Sequence, residues 1–268
     1  MLLEWQTLCL SAVQGLTEFL PVSSSGHLAL LQTAFGFSES ALAFDILLHC
    51  ATTLAVLIFF RKDIAAFLGQ WCAGLVSKEA RTAEGWRYGW AVLAGTVVTA
   101  AVALPLEGPV EAAMRSHFAV GAGLLVTAGV LCLAPLLPER KKELSLKAAL
   151  VVGLVQGLAV FPGVSRSGTT IAAALFMGLT APEAFRLSFL LSVPAIIGAT
   201  LLEVPGLLEG SSILPGGWLP ALFAAFLLGY FSLTLLRRLV LSGRWAYFGI
   251  YCFFLGLAAI VSEVAGNF

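Results

Sequence analysis

The stretch Gln14–His27, QGLTEFLPVSSSGH, gathers several groups that could do chemistry together. It carries an amide at Gln14, a carboxylate at Glu18, hydroxyls at Ser23, Ser24 and Ser25, and an imidazole at His27. Gln14 and Glu18 are four residues apart and so share one face of a helix. A carboxylate can hold a cation or take a proton, and a serine or imidazole can attack or shuttle a proton. Serines ahead of Gly26 at a helix start also suit an anion, because free N–H groups and the helix dipole converge there. Blander readings exist for each: an interfacial carboxylate at Glu18, a helix–helix hydrogen bond at Gln14, one serine spent on capping, and a structural histidine.

The same peptide returns at Gln156–Thr169, QGLAVFPGVSRSGT, 142 residues later and without a gap. Gln14, Gly15, Leu16, Phe19, Val22, Ser23, Ser25 and Gly26 recur as Gln156, Gly157, Leu158, Phe161, Val164, Ser165, Ser167 and Gly168. The departures carry the information: Glu18 becomes Val160, Ser24 becomes Arg166 and His27 becomes Thr169. One copy holds the acid and the imidazole, and the other holds the cation. The fork of a guanidinium matches a phosphate, and the competing reading is a structural ion pair with Glu18. The expected catalytic residues are Glu18, Ser24, His27 and Arg166. Those expected to hold an anionic substrate are Ser23, Ser25, Gly26, Ser165, Ser167, Gly168 and Thr169.

These residues need a membrane around them. The 268 residues are 59% hydrophobic and 11% charged, against about 25% charged in soluble domains. The mean hydropathy is +0.97. A soluble fold cannot hide so much apolar surface, and with zero net charge and no basic tract nucleic acid is excluded as a partner. The N-terminus, MLLEW, carries an acid where a cleavable signal would be basic, so none is expected. Six segments, roughly 43–60, 87–106, 117–137, 184–203, 217–236 and 245–264, are long enough to cross about 30 Å of hydrocarbon. Two regions, roughly 2–20 with 26–36 and 146–162 with 168–179, are broken at Pro/Gly/Ser tips and read as re-entrant helical hairpins.

The expected fold is therefore an all-α polytopic membrane protein in a single domain, 1–268. Its repeats cover about 1–137 and 143–268. Three spans per half invert the second repeat relative to the first, an arrangement that places sites near the midplane. Irregular backbone there needs protein or water around it, so the two tips are expected to meet at a polar cavity. Other positions read more quietly. Cys9, Cys50, Cys72, Cys132 and Cys252 have the spacing of small apolar residues rather than of disulfides or a metal cage. Asp45 and His49 either support the site or face the interface. Glu183 and Arg186 read as a surface ion pair. Tyr247 and Tyr251, in a last span without acid, imidazole or guanidinium until Glu263, read as scaffold.

At these motifs the sequence resembles the undecaprenyl-diphosphatase family, integral-membrane enzymes of the bacitracin-resistance type. That family's (E/Q)xxxE element is matched by Gln14 and Glu18, its PVSSxGH element by Pro21 to His27, and its PGxSRSG element by Pro162 to Gly168. The resemblance runs over essentially the full chain. It implies removal of the terminal phosphate of a polyprenyl diphosphate, giving the lipid carrier for cell-wall assembly. It also implies a bacterial inner-membrane location, a site opening to the extracytoplasmic side, and a divalent cation (Mg2+ or Ca2+). Glu18 and Gln14 would be its ligands, Gln14 standing where many members carry glutamate. Membrane lipids are the expected surroundings, and a second copy of the chain is a candidate partner. The competing function is a lipid-phosphate or small-ion transporter, since inverted repeats with paired hairpins also build transporters.

Charge sets the expected orientation. Thirteen of the fifteen basic residues fall at span ends or loops of one side, which the positive-inside rule makes cytoplasmic. Both termini are then outside. A cysteine placed at Lys141 should be shielded from an impermeant thiol reagent in intact cells, and ready labelling in sealed cells would reverse the orientation.

Overall fold

The computed structural model describes residues 4–35, 42–137, 143–209, 214 and 216–266. Twelve α-helices account for nearly all of them. They are α1 (Glu4–Thr17), α2 (Ser24–Ala34), α3 (Leu42–Phe59), α4 (Arg61–Val76), α5 (Glu84–Ala103), α6 (Glu107–Met114), α7 (His117–Leu133), α8 (Leu146–Leu158), α9 (Arg166–Phe176), α10 (Ala181–Glu209), α11 (Trp218–Leu241) and α12 (Ala246–Val264). The expected loop between the repeats, with Arg140, Lys141 and Lys142, lies largely outside the described residues.

The broken regions fold as their sequence dictates. Proline and glycine stop α1 and α8 before the tips, and α2 and α9 restart behind a serine. The Ser23 and Ser165 hydroxyls accept from the amides of Gly26 and Gly168, at 3.4 and 3.2 Å. Among the described residues, five helices are long and apolar enough to cross a bilayer: α5 (continued by α6), α7, α10, α11 and α12. A sixth span needs α3 and α4 counted together, and these meet at a bend of 72°. Large apolar side chains stay exposed on the outward faces, among them Leu219, Phe223, Phe254 and Val261. Such a surface belongs against lipid.

α4 is the element that the sequence reading treated as a connection. It folds back onto the start of α5, with Phe67 stacked on Tyr88 at 4.3 Å and Trp71 edge-on to Trp90 at 5.8 Å. This return changes Arg186 from half of a surface pair into a hub. Arg186 meets Glu183 and Glu84 at 3.1 Å each and Asp63 of α4 at 3.4 Å, over the Phe67 and Tyr88 rings.

Around the hairpins, each first half-helix packs on a helix of the other half of the chain. α1 lies on α11, where a Cβ at Gly15 would sit 2.7 Å from the Ala225 carbonyl. α8 lies on α5, where a Cβ at Gly157 would sit 2.9 Å from the Thr99 carbonyl. The tips themselves touch reciprocally. A Cβ at Gly26 would come within 3.1 Å of the Gly163 backbone, and one at Gly168 within 3.0 Å of Pro21. Gly26 and Gly168 are equivalent positions of the repeat, as are Pro21 and Gly163. The meeting of the tips expected from the sequence is therefore present. Between them and α10, Phe19 packs edge-on to Phe189 at 5.8 Å and fixes the turn that carries Glu18.

This contact can be tested. Gly26→Val should force the tips apart, costing about 1–3 kcal/mol as overpacking does. It should lower the unfolding midpoint in detergent and abolish function, whereas Gly129→Val, with nothing within 4 Å of its Cβ, should do neither.

Candidate active site

Glu18 sits at the centre of the tip contact, 8% exposed. Its two oxygens have different partners. Oε1 accepts from Arg166 Nη2 at 2.7 Å. Oε2 accepts from the Ser24 hydroxyl at 2.7 Å and from Gln14 Nε2 at 3.1 Å. Ser24 and Arg166 occupy the same position in the two hairpins, directly after the capping serine. One carboxylate is thus gripped by the first helical residue of both half-helices. Burying it alone would be prohibitive, and the pair with Arg166 plus two neutral donors compensates it.

The serines divide by role. Ser23 and Ser165 are caps, each 3.4 or 3.3 Å from its neighbour Ser25 or Ser167. Ser24 alone points its hydroxyl at the carboxylate. Gly26 and Gly168 supply the capped amides. Ser23 holds a positive φ of 67°, unusual for a non-glycine residue and costing about 1–3 kcal/mol. Thr169 donates to the Ser165 carbonyl at 2.8 Å, and His27 Nδ1 meets the Ser23 carbonyl at 2.8 Å, the same contact one repeat earlier.

A cavity of about 540 Å³ opens from this cluster. Glu18, His49, Arg166 and Gln156 line its polar end; its walls are mostly apolar, from Ala100 and Ala103 of α5, Leu104 just after it, and Ile196, Ala199 and Leu202 of α10, with hydroxyls at Thr96, Thr99, Ser192 and Thr200. The expectation of a polar cavity is thus met only at the end nearest the tips. The C-terminal halves of α5 and α10 offer mainly methyl groups instead. Arg166 Nη1 is buried and has no partner among the described residues. Half of the guanidinium fork is therefore spent on Glu18, and the other half is left as a buried donor without a partner, which is costly unless something binds it.

The structure brings together Glu18, Ser24 and Arg166, and it adds His49. The sequence left His49 between support and interface. Its Nδ1 lies 3.1 Å from Gln14 Nε2 and 3.7 Å from Glu18 Oε2. Asp45, one turn earlier, faces elsewhere and accepts from Gln32 of α2 at 2.8 Å. Neither His27 nor Ser24 lines the cavity; Ser24 faces it only through its bond to Glu18, and His27 Nε2 meets the Tyr251 hydroxyl at 2.7 Å. Tyr251, read from the sequence as scaffold, thus touches His27, one of the residues expected in the site. No signal in the apolar last span marks it.

For a divalent cation the donor set is sparse. Among the described residues no three of His, Cys, Asp and Glu converge. One buried oxygen, Gln14 Oε1, has no partner among the described residues, next to Glu18. This fits a hard cation that brings most of its ligands as water and phosphate oxygens, with one or two from protein.

Comparison with known proteins gives a consistent result. The family model described as bacitracin resistance protein BacA matches residues 7–258. A protein of Desulfosudis oleivorans named undecaprenyl-diphosphatase is 44% identical over 266 residues, covering 94% of this chain and 95% of its own. Relatives with the same name from Carboxydothermus hydrogenoformans and Methanosphaera stadtmanae are each 38% identical. They cover 99% and 95% of this chain, and 99% and 96% of their own.

The charge pairing predicts an asymmetry in stability. Arg166→Met leaves Glu18 buried and unpaired and should destabilise the protein in detergent by about 3–5 kcal/mol. Glu18→Leu together with Arg166→Met should recover most of that loss, read as the unfolding midpoint. A double variant no more stable than Arg166→Met would show that the pair is not what holds the tips.

Proposed function

Because the chain belongs to the bacitracin resistance protein BacA family, we propose that it hydrolyses undecaprenyl diphosphate, the activity its relatives are named for. The products are inorganic phosphate and undecaprenyl phosphate, the lipid carrier for cell-wall synthesis, and the activity confers bacitracin resistance. The observation that carries this reading is the unpaired half of the Arg166 fork beside Glu18, at the polar end of a cavity with mostly apolar walls, with the Ser24 hydroxyl on the same carboxylate although Ser24 does not itself line the cavity. A polyprenyl diphosphate has the matching form, an anionic head on an apolar tail.

Arg166 Nη1 and the amides at the starts of α2 and α9 hold the diphosphate. The wall from Thr96 to Leu104 and from Ser192 to Leu202 gives the first part of the tail roughly 12–15 Å of apolar path, at 1.5 Å per residue. Ser24 Oγ is the nucleophile that the geometry favours. Its bond to the terminal phosphorus forms as its proton passes to Glu18 Oε2. The bond from that phosphorus to the bridging oxygen breaks, and undecaprenyl phosphate leaves with the electron pair. Water then attacks the phosphoserine. The serine oxygen departs with the proton kept on Glu18, and the proton of the water leaves on inorganic phosphate. Arg166 stabilises the charge that gathers on the phosphoryl oxygens in both steps. Gln14 Nε2 and Arg166 keep the carboxylate aimed. A divalent cation, Mg2+ or Ca2+, would be held by Gln14 Oε1 and Glu18 with the phosphate oxygens, and when bound it neutralises phosphate charge.

The inverted repeat is part of this proposal, supported by the reciprocal tip contacts and by the packing of α1 on α11 and α8 on α5. With the basic residues inside, the cavity end at Leu104 and Leu202 faces outward, as a bacterial inner-membrane enzyme acting on the extracytoplasmic side requires. The transporter reading gains no observation of its own.

Phosphate release by purified protein in detergent micelles, which have no two compartments, tests catalysis against transport. Ser24→Ala, Glu18→Ala and Arg166→Ala should each lose at least about 10²-fold in turnover, as loss of a transition-state donor or nucleophile does. Arg166→Lys should rescue poorly, since an ammonium lacks the planar fork. An active Glu18→Ala/Arg166→Ala protein would return both residues to a purely structural pair. Ser24→Ala with more than about a tenth of wild-type turnover would rule out the serine as nucleophile.

A further inference from the structure

We propose that Tyr251 and His27 form a positioning clamp that holds the Ser23 carbonyl and so aims the Ser24 hydroxyl at Glu18; His27 does not itself transfer protons in the reaction. The proposal rests on the phosphatase reading of the site. Three observations carry it.

The first is hydrogen-bond polarity. The Ser23 carbonyl can only accept, so His27 Nδ1 carries the hydrogen of the 2.8 Å contact. In the neutral ring Nε2 is then the acceptor, and the Tyr251 hydroxyl donates to it at 2.7 Å. Both nitrogens are engaged away from the cavity wall. The rings lie nearly parallel, 14° apart, with centroids at 5.7 Å.

The second is the repeat. Thr169, the equivalent of His27, makes the same bond to the carbonyl of the equivalent capping serine, Ser165, at 2.8 Å. A threonine hydroxyl has no acid–base function near neutral pH, so the contact common to both hairpins is a structural one. Each tip is also fastened from a flanking helix. Thr127 of α7 accepts from the Ser165 amide and donates to the Gly163 carbonyl, both at 2.8 Å. On the other tip α12 does this work through Tyr251, and through Cys252, whose Sγ lies 3.8 Å from the Pro21 carbonyl.

The third is strain. Ser23, and not Ser165, has a positive φ. A cap in this conformation persists only where its surroundings fix it, and the next residue is Ser24. Misplacing a reacting group by about 1 Å can cost about 10²-fold, so a clamp one residue away acts on turnover more than on affinity.

The test uses the full-length protein in detergent and a polyprenyl diphosphate. His27→Ala should lower kcat about 10²-fold, and His27→Thr should restore it to within about tenfold of wild type. The kcat of His27→Thr should keep the wild-type dependence on pH. Tyr251→Phe should lower kcat by about three- to tenfold with KM little changed, and adding it to His27→Thr should cost nothing further, because the two act as a unit. A His27→Thr protein that is folded but as inactive as His27→Ala, or that loses one limb of the pH profile, would overturn the clamp and make His27 a proton-transfer residue. An independent readout needs no substrate. In 15N-histidine spectra, with His27→Thr for assignment, His27 should be the Nδ1–H tautomer, its Nε2 resonance moving in Tyr251→Phe. An Nε2–H tautomer would refute the proposal whether or not the protein is a phosphatase.

Discussion

An ionised carboxylate placed between two half-helices inside a membrane protein dictates much of what surrounds it. Glu18 is buried, and the cost of desolvating it is met by one full charge and two neutral donors. Those partners come from both hairpins, so the charge cannot be compensated unless the tips meet. Their meeting in turn demands glycine where Gly26 faces Gly163 and where Gly168 faces Pro21. Chemistry and packing are therefore one constraint: the carboxylate that would accept a proton from Ser24 is also the group that joins the two halves of the chain.

The division of labour between the hairpins follows from their common build. Each spends its first serine on capping and places its next residue at the start of the half-helix, where backbone amides gather. In one hairpin that residue is Ser24 and in the other it is Arg166. Equivalent backbone positions thus deliver a hydroxyl and a guanidinium to opposite oxygens of one carboxylate. The half-spent fork of Arg166 separates this arrangement from a closed structural pair, because a buried N–H without a partner is costly unless something else binds it. Apolar walls beyond the cluster lower the local dielectric, which strengthens charge interactions beside them.

Much of this was legible in the sequence because it is written locally. The first half-helices end at Thr17 and Leu158, one turn ahead of Pro21 and Pro162, and the second ones restart behind Ser23 and Ser165, close to where apolar run length and turn chemistry put them. The repeat marked Ser24 and Arg166 as the informative differences. The helix α4 was less legible. Residues 61–76 carry charges at their start and no long apolar run, and only packing on Tyr88 and Trp90 makes them a helix that returns to α5.

The sequence by itself determined the membrane setting, the paired broken helices and the family, and it singled out Glu18, Ser24, His27 and Arg166 at the tips, because hydrophobic length, helix stops and motif spacing act within short stretches of chain. Tertiary structure alone decided which partners those residues take. His49 reaches Gln14 only because α3 packs beside α1, and Tyr251 reaches His27 across 224 positions of sequence only because α12 closes on the first tip. An exposed tyrosine in an apolar helix has the same sequence signature whether it faces lipid or a histidine, and the difference is set by which helix lies against it.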